Sequence, residues 1–186
     1  VAGLSAALST APPSGRVGIG HTRWSTHGRP SNENAHPHTD CDGSLAVVHN
    51  GIIENHTELR SRLEEAGHEF TSETDTEVVP HLVEHHLDAG ADLATAFPRA
   101  VDDLEGSYAV AMVHEDAETV YAARQGSPLV LGVGENAYYL ASDVPAFLEF
   151  TDDVVYLQDG DSVRVSAEGY DVFDGVGAPV DRPVES

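Results

Sequence analysis

The segment 20–28, Gly-His-Thr-Arg-Trp-Ser-Thr-His-Gly, carries the side chains best suited to hold a small charged ligand. The guanidinium of Arg23 is a planar, permanently charged donor whose geometry matches a carboxylate. Trp24 beside it can cover a small molecule. An isolated arginine would more often form a surface ion pair, so this interpretation depends on its neighbours. A loop so dense in hydrogen-bonding side chains is costly to order unless it binds something.

A second candidate is His49-Asn50-Gly51, which follows the apolar strand pattern of residues 44–49. Asn-Gly is a strong turn signal. A turn after a strand can direct a side-chain amide and a backbone N–H toward one point, as stabilisation of a tetrahedral oxyanion requires. The alternative is an ordinary hairpin turn. It is disfavoured because residues 52–66 have helical spacing, so no strand returns directly.

The third candidate is the acidic segment 72–77, Ser-Glu-Thr-Asp-Thr-Glu. A helix is predicted over 74–89, with Thr74 or Asp75 as its cap. An acidic residue in the first turn also interacts favourably with the helix dipole. Capping alone would explain Asp75.

The remaining pattern predicts an α+β domain with antiparallel sheets, extending over the single unit 1–186. Helices are expected over 1–10, 52–66, 74–89 and 91–104, the last interrupted near Pro98, and short strands over 16–21, 44–49 and 68–72. After Gly106, strand patterns recur at regular spacing with turn residues between them.

The charge is strongly acidic and excludes several classes of function. Asp and Glu number 32 against 9 basic residues, all of them Arg, for a formal charge of −23. The acids are scattered, which predicts a surface adapted to high salt. Such a surface disfavours nucleic-acid binding, and no apolar run approaches the roughly 18 residues of a membrane helix. The single cysteine allows no internal disulfide and is typical of a reducing cytoplasm.

Two short motifs match metal or nucleotide patterns and are given little weight. His81, Glu84 and His85 fit the His-x-x-Glu-His zinc pattern. No third ligand is evident from the sequence, so no metal site is expected. Residues 132–137 fit Gly-x-Gly-x-x-Ala, but they lie between two expected strands and open no helix.

Cys41 is the only thiol and therefore a candidate nucleophile. Its neighbours Asp40 and Asp42 would raise the pKa of the thiol rather than lower it, which disfavours that role.

Taken together, the segments Thr-His-Gly, Asn-Ala-His-Pro-His, Val-His-Asn-Gly-Ile-Ile-Glu-Asn and Ser-Glu-Thr-Asp-Thr-Glu resemble the N-terminal glutaminase domain of glutamine–fructose-6-phosphate aminotransferase. The resemblance is strongest from Gly18 to Glu77 and continues more weakly to the end. It implies the N-terminal-nucleophile fold, a four-layer αββα sandwich of two antiparallel sheets, here incomplete at its N-terminus. His36-Pro37-His38 then belongs to a loop whose shape the family requires.

The resemblance also implies a role for each candidate residue. Arg23 would hold the α-carboxylate of glutamine and Asp75 its α-ammonium. Trp24 would gate the channel that carries ammonia to the next domain. Thr26 and His27 would line the amino-acid pocket. The Asn50 amide and the Gly51 N–H would form the oxyanion hole.

The implied activity is hydrolysis of the glutamine side-chain amide, without a cofactor. The ammonia would serve a C-terminal sugar-isomerase region that converts fructose 6-phosphate into glucosamine 6-phosphate, in a protein that can be a homo-oligomer. The family's nucleophile is an N-terminal cysteine, whereas this chain begins with Val1. The isolated 186 residues are therefore expected not to hydrolyse glutamine. The alternative is a non-catalytic glutamine- or glutamate-binding module.

Overall fold

A computed structural model describes residues 8–10, 14–22 and 28–186. The helices are α1 (His56–Ala66), α2 (Val78–Asp88) and α3 (Leu93–Asp102), with a 3-10 turn at Val144–Ala146. The strands are β1 (His38–Thr39), β2 (Leu45–Ile53), β3 (Gly106–His114), β4 (Ala117–Gln125), β5 (Val130–Val133), β6 (Tyr138–Ala141), β7 (Val154–Tyr156), β8 (Ser162–Ser166), β9 (Gly169–Phe173) and β10 (Val184–Glu185).

The strands form two antiparallel sheets, which confirms the predicted α+β class. The larger sheet has the order β1-β2-β3-β4-β8-β9, and the smaller has the order β10-β7-β5-β6. Residues 132–137 lie in the hairpin between β5 and β6, so the expectation that they open no dinucleotide-binding helix is confirmed. Within the described part of the chain, no helix is long and apolar enough to cross a membrane.

Two apolar cores lie on opposite faces of the six-stranded sheet. Val110 and Met112 of β3 point into the core formed with the three helices. Ala109 of β3 and Ala122 of β4 point into the core formed with the smaller sheet. Alternate residues of a strand face opposite sides. Because both sides are buried here, β3 and β4 appear in the sequence as nearly continuous apolar runs.

The Asn-Gly pair is not a turn, which corrects the sequence prediction. β2 runs through Asn50 and Gly51 to Ile53 and pairs with β3 along its whole length, from Leu45↔His114 to Ile53↔Gly106. The returning strand exists, but it follows three helices later and local patterns cannot show it. Helix α1 consequently begins at His56 instead of residue 52, and it ends at Gly67 as predicted.

Four other predictions of secondary structure are also wrong. Residues 16–21 and 68–72 form no strand, because no described strand pairs with them. Helix α2 begins at Val78 instead of residue 74. Helix α3 is continuous through Pro98, with Asp92 accepting a hydrogen bond from the Thr95 backbone N–H at its N-terminus. Of the helix expected over 1–10, residues 8–10 are described and are helical.

Candidate active site

Asn50 is exposed on β2 and is oriented by a chain of histidine contacts. His21 Nε2 lies 2.8 Å from Asn50 Oδ1, and His36 Nδ1 lies 2.8 Å from His21 Nδ1. Thr76 Oγ1 lies 3.0 Å from His36 Nε2 and 2.9 Å from His49 Nδ1. With Asn50 Oδ1 as the acceptor, His21 carries its proton on Nε2 and accepts from His36 Nδ1–H. Asn50 then keeps its Nδ2 hydrogens for a partner outside this chain of contacts.

Asp75 lies beside the same end of β2. Its side chain is buried, and Oδ2 accepts a hydrogen bond of 2.9 Å from the Ile53 backbone N–H. The predicted capping role of Asp75 is therefore wrong, because its carboxylate binds a strand that lies 22 residues away in sequence. The contact places an acidic group two residues from Gly51, roughly 7 Å along an extended strand.

Glu77 shapes the loop that carries Asp75, and sequence reasoning missed it. Its carboxylate accepts four hydrogen bonds of 2.7–2.8 Å, from the backbone N–H and hydroxyl groups of Thr71 and Ser72. Burial of Glu77 opposes ionisation, yet these hydrogen bonds outweigh it and hold the pKa of Glu77 below its usual value. The ionised Glu77 side chain thus fixes Thr71 and Ser72 in a loop, in the region where a strand over 68–72 is predicted.

Asn34 joins the loop after residue 28 to the same acidic segment. Its Nδ2 donates to the Arg29 carbonyl oxygen at 3.0 Å, and its Oδ1 accepts from the Glu73 N–H at 2.8 Å. The side chain is buried. Asn34 therefore fixes the chain that emerges from the predicted ligand-binding segment. Asn34 is the first residue of the Asn-Ala-His-Pro-His motif, but the motif alone does not show that its side chain is buried or which segment it binds.

Four of the predicted site residues, Arg23, Trp24, Thr26 and His27, lie outside the described residues. Their roles stay predictions. Of the seven predicted positions, the structure thus brings together Asn50, Gly51 and Asp75.

Cys41 lies away from this cluster. The preceding residue, Asp40, accepts a hydrogen bond from the Leu45 N–H at 3.2 Å, which keeps Cys41 near the first residue of β2. Leu45 and Asn50 are five residues apart on that strand, roughly 17 Å. Cys41 is exposed as a residue, but partial burial of its thiol raises the pKa, and Glu84 and Asp40 raise it further. Cys41 is thus poorly suited to attack a substrate at Asn50.

The zinc-like pattern on α2 has neighbours that the sequence did not reveal. Among the residues described, one donor atom each from Cys41, His68, His81 and Glu84 lies within 4.8 Å of the others. Two potential ligands that are not evident from the sequence, Cys41 and His68, therefore lie beside His81 and Glu84. His85, the other histidine of the pattern, instead contacts the far side of the His68 ring, at 3.4 Å between nitrogens.

Comparison with known proteins shows the family to which the chain belongs. The model of a family described as "Glutamine amidotransferase domain" matches residues 21–149. The chain belongs to this family of glutamine amidotransferase domains. The matched range contains Asn50, Gly51 and Asp75, and the family assignment made from the sequence motifs is confirmed.

Relatives of this amidotransferase domain include two enzymes named glutamine–fructose-6-phosphate aminotransferase (isomerizing). The protein of Thermus thermophilus is 51% identical over 96% of this chain and 29% of its own length. That of Halobacterium salinarum is 51% identical over 92% of this chain and 28% of its own length. The chain thus spans less than a third of the curated relatives it matches.

Solved structures support the predicted N-terminal-nucleophile type of fold. Glutamine phosphoribosylpyrophosphate amidotransferase from B. subtilis superposes with a TM-score of 0.70 at 29% identity. The match covers 83% of this chain and 34% of that one. The structure titled as the allosteric regulatory enzyme of purine biosynthesis gives a TM-score of 0.66 at 28% identity, over 77% of this chain and 31% of that one.

Proposed function

We propose that this amidotransferase domain binds glutamine and stabilises the transition state for hydrolysis of its side-chain amide. The proposal rests mainly on the placement of Asp75 beside the strand that carries Asn50 and Gly51. The Asp75 carboxylate suits the α-ammonium, while the amide of Asn50 and the N–H of Gly51 suit the oxyanion. The spacing of roughly 7 Å between Gly51 and Ile53 is comparable to the length of a glutamine side chain.

We propose a separate role for each of the remaining groups. Arg23 holds the α-carboxylate, Thr26 and His27 line the pocket, and Trp24 controls the passage of ammonia. The attacking thiolate is not Cys41, because its raised pKa and its distance from Asn50 both oppose that role. The resemblance to the family implies that an N-terminal cysteine attacks the glutamine amide carbon. Its thiolate forms an acyl-enzyme before water releases glutamate.

We propose further that the whole protein is a glutamine–fructose-6-phosphate aminotransferase. The support is the identity of about half the residues shared with enzymes of that name. Ammonia would then pass to a sugar-isomerase region that binds fructose 6-phosphate, in a cytoplasmic enzyme that can form homo-oligomers. Formation of glucosamine 6-phosphate from glutamine and fructose 6-phosphate by the intact protein tests this proposal.

The binding role of Asp75 is tested by the substitution Asp75→Asn. The asparagine oxygen can still accept from the Ile53 N–H, but the charge opposite the ammonium is lost. We expect the Kd of glutamine and of glutamate to rise about 30-fold, which corresponds to about 2 kcal/mol for a charge-assisted hydrogen bond. Isothermal titration calorimetry of the intact protein with glutamate, which hydrolysis does not consume, measures the change in Kd, and the inhibition of glutamine hydrolysis by glutamate gives a second value.

The matched control is Asp88→Asn, at the exposed end of α2. It should leave the Kd unchanged. Equal affinity of the Asp75→Asn and unsubstituted proteins would contradict the proposed ammonium site. Tight binding by an intact protein that never releases ammonia would instead support a non-catalytic binding module.

We also propose that the acidic surface is adapted to high salt. Arginines in the described part of the chain, such as Arg60, Arg124 and Arg182, form ion pairs with acidic side chains, but the net charge of −23 leaves most carboxylates to repel one another. Screening by salt should relieve that repulsion. We expect molar KCl to raise the Tm relative to dilute buffer, by about 2–4 °C for each kcal/mol gained. Equal Tm values in the two solutions would contradict it.

A further inference from the structure

The second cluster of chemically active side chains joins three segments that are distant in sequence. Cys41 follows β1, His68 follows α1, and His81 and Glu84 lie on α2. Cys41 Sγ lies 3.7 Å from His81 Nδ1 and 3.9 Å from His68 Nδ1. Glu84 Oε2 lies 2.8 Å from His68 Nδ1 and 3.0 Å from His81 Nδ1. All four donor atoms therefore converge on one point.

The spacing of these atoms suits a tetrahedral ion. With Zn–S near 2.3 Å and Zn–N or Zn–O near 2.0–2.1 Å, the edges of a tetrahedral zinc site are about 3.3–3.6 Å long. The two sulfur edges exceed this range by 0.1–0.3 Å and the two carboxylate edges fall below it by 0.3–0.5 Å, differences of roughly a few tenths of an ångström. The carboxylate edges are short because they are hydrogen bonds, which an entering ion would replace.

Further contacts hold three of the four ligands, His68, Glu84 and Cys41, in the orientation that metal binding requires. His68 Nε2 faces His85 Nδ1 at 3.4 Å, so His68 can keep a proton on Nε2 and coordinate through Nδ1. The Cys41 N–H donates to Glu84 Oε1 at 3.2 Å, which leaves Oε2 directed at the cluster. The Glu69 N–H donates to Cys41 Sγ at 3.5 Å, which fixes the position of the sulfur.

Charge and burial also fit a divalent ion. His68 and His81 are buried, and the Glu84 side chain is only 13% exposed. A thiolate and a carboxylate carry two negative charges, which one divalent cation would neutralise at a site where Cys41 is exposed and the other three ligands are largely buried. Thiolate and imidazole ligands in tetrahedral arrangement are typical of Zn²⁺ rather than of Mg²⁺ or Ca²⁺. Four protein ligands leave no open position, as in structural sites.

We propose that Cys41, His68, His81 and Glu84 bind one structural Zn²⁺ ion. The ion would tie the turn after β1 and the turn after α1 to helix α2. The segment 69–77, which carries Asp75, lies in sequence between the ligands His68 and His81. The metal would therefore stabilise that loop without taking part in hydrolysis. The proposal is independent of the proposed function, since none of its four residues contacts Asn50 or Asp75 in the described structure.

The test uses the intact protein, stripped of metal by a chelator and titrated with Co²⁺ and then Zn²⁺. We expect one equivalent of Co²⁺ to bind with a thiolate-to-cobalt charge-transfer absorption. Cys41→Ser should abolish that absorption even if flanking sequence holds other cysteines. His81→Gln should weaken Zn²⁺ binding more than about 100-fold, beyond the range typical of outer contacts. Competition with a chromophoric chelator measures the Kd.

The matched control is His86→Gln, a histidine on the same helix but outside the four ligands. It should keep both the absorption and the affinity. Circular dichroism of each apo variant shows whether it is folded, and Glu84→Gln provides a second ligand variant if His81→Gln is not. The proposal is overturned if the folded, unsubstituted protein binds no metal. It is equally overturned if Cys41→Ser and Glu84→Gln bind metal as the unsubstituted protein does.

Discussion

Replacing Asn50 with alanine is expected to lower the kcat for glutamine hydrolysis by the intact protein about 10²–10³-fold, because one donor to the oxyanion is lost. That loss corresponds to about 2.7–4 kcal/mol of transition-state stabilisation. The backbone of Asn50 stays paired with Ala109 of β3, so the strand itself should persist. The KM should change little, since the amide acts on a charge that develops only during the reaction.

Steady-state release of ammonia and glutamate measures this effect. Asn136→Ala, in the exposed hairpin between β5 and β6, is the matched control and should keep the full kcat. A kcat that survives Asn50→Ala would show that Asn50 does not stabilise the oxyanion. A large rise in KM at constant kcat would instead assign Asn50 to substrate binding.

The elements that the sequence predicted well are those defined by local periodicity. The apolar strand segments after Gly106 and the apolar stripe of α2 can be identified from residues close together in the chain. Pairing is different, because the partner of β2 begins at Gly106, more than fifty residues after Asn50. The Asn-Gly pair therefore predicts a turn from local sequence alone, although the strand continues through it.

Contacts between segments far apart in sequence also explain why the arrangement of the candidate site could not be predicted. Asp75 is a candidate by motif resemblance, but its position depends on the Ile53 N–H and not on the helix that follows. The grouping of Cys41 with His81 depends on a separation of 40 residues. No spacing rule predicts such a contact, because the ligands come from three elements whose packing only the folded chain defines. Composition and motif therefore indicate chemistry, while convergence of side chains requires tertiary structure.

Gly51→Ala is expected to destabilise the fold more than any other substitution considered for this chain. The φ angle of Gly51 is +129°, which L side chains rarely adopt. An added Cβ would lie 2.0 Å from the Ser107 carbonyl oxygen and 2.9 Å from Ser127 Oγ. The first contact is with backbone of the paired strand β3, which cannot move aside without breaking the sheet. We expect a loss of more than about 4 kcal/mol, the range reached only by severe clashes or strain.

Gly90→Ala separates the clash from the backbone strain. Gly90 also has a positive φ, +89°, but a Cβ there would meet nothing within 4 Å. Its expected cost is only the roughly 1–2 kcal/mol of a left-handed residue. The Tm values of the two variants should therefore differ by several °C, about 2–4 °C per kcal/mol. Denaturant unfolding should show the same difference as a lower free energy of unfolding for Gly51→Ala. If Gly51→Ala were no less stable than Gly90→Ala, β2 and β3 could not approach as closely at Ser107 as the structure places them. A folded but inactive Asn50→Ala beside an unstable Gly51→Ala would show that the Asn50 side chain acts in catalysis, while the absence of a side chain at Gly51 lets the strands meet.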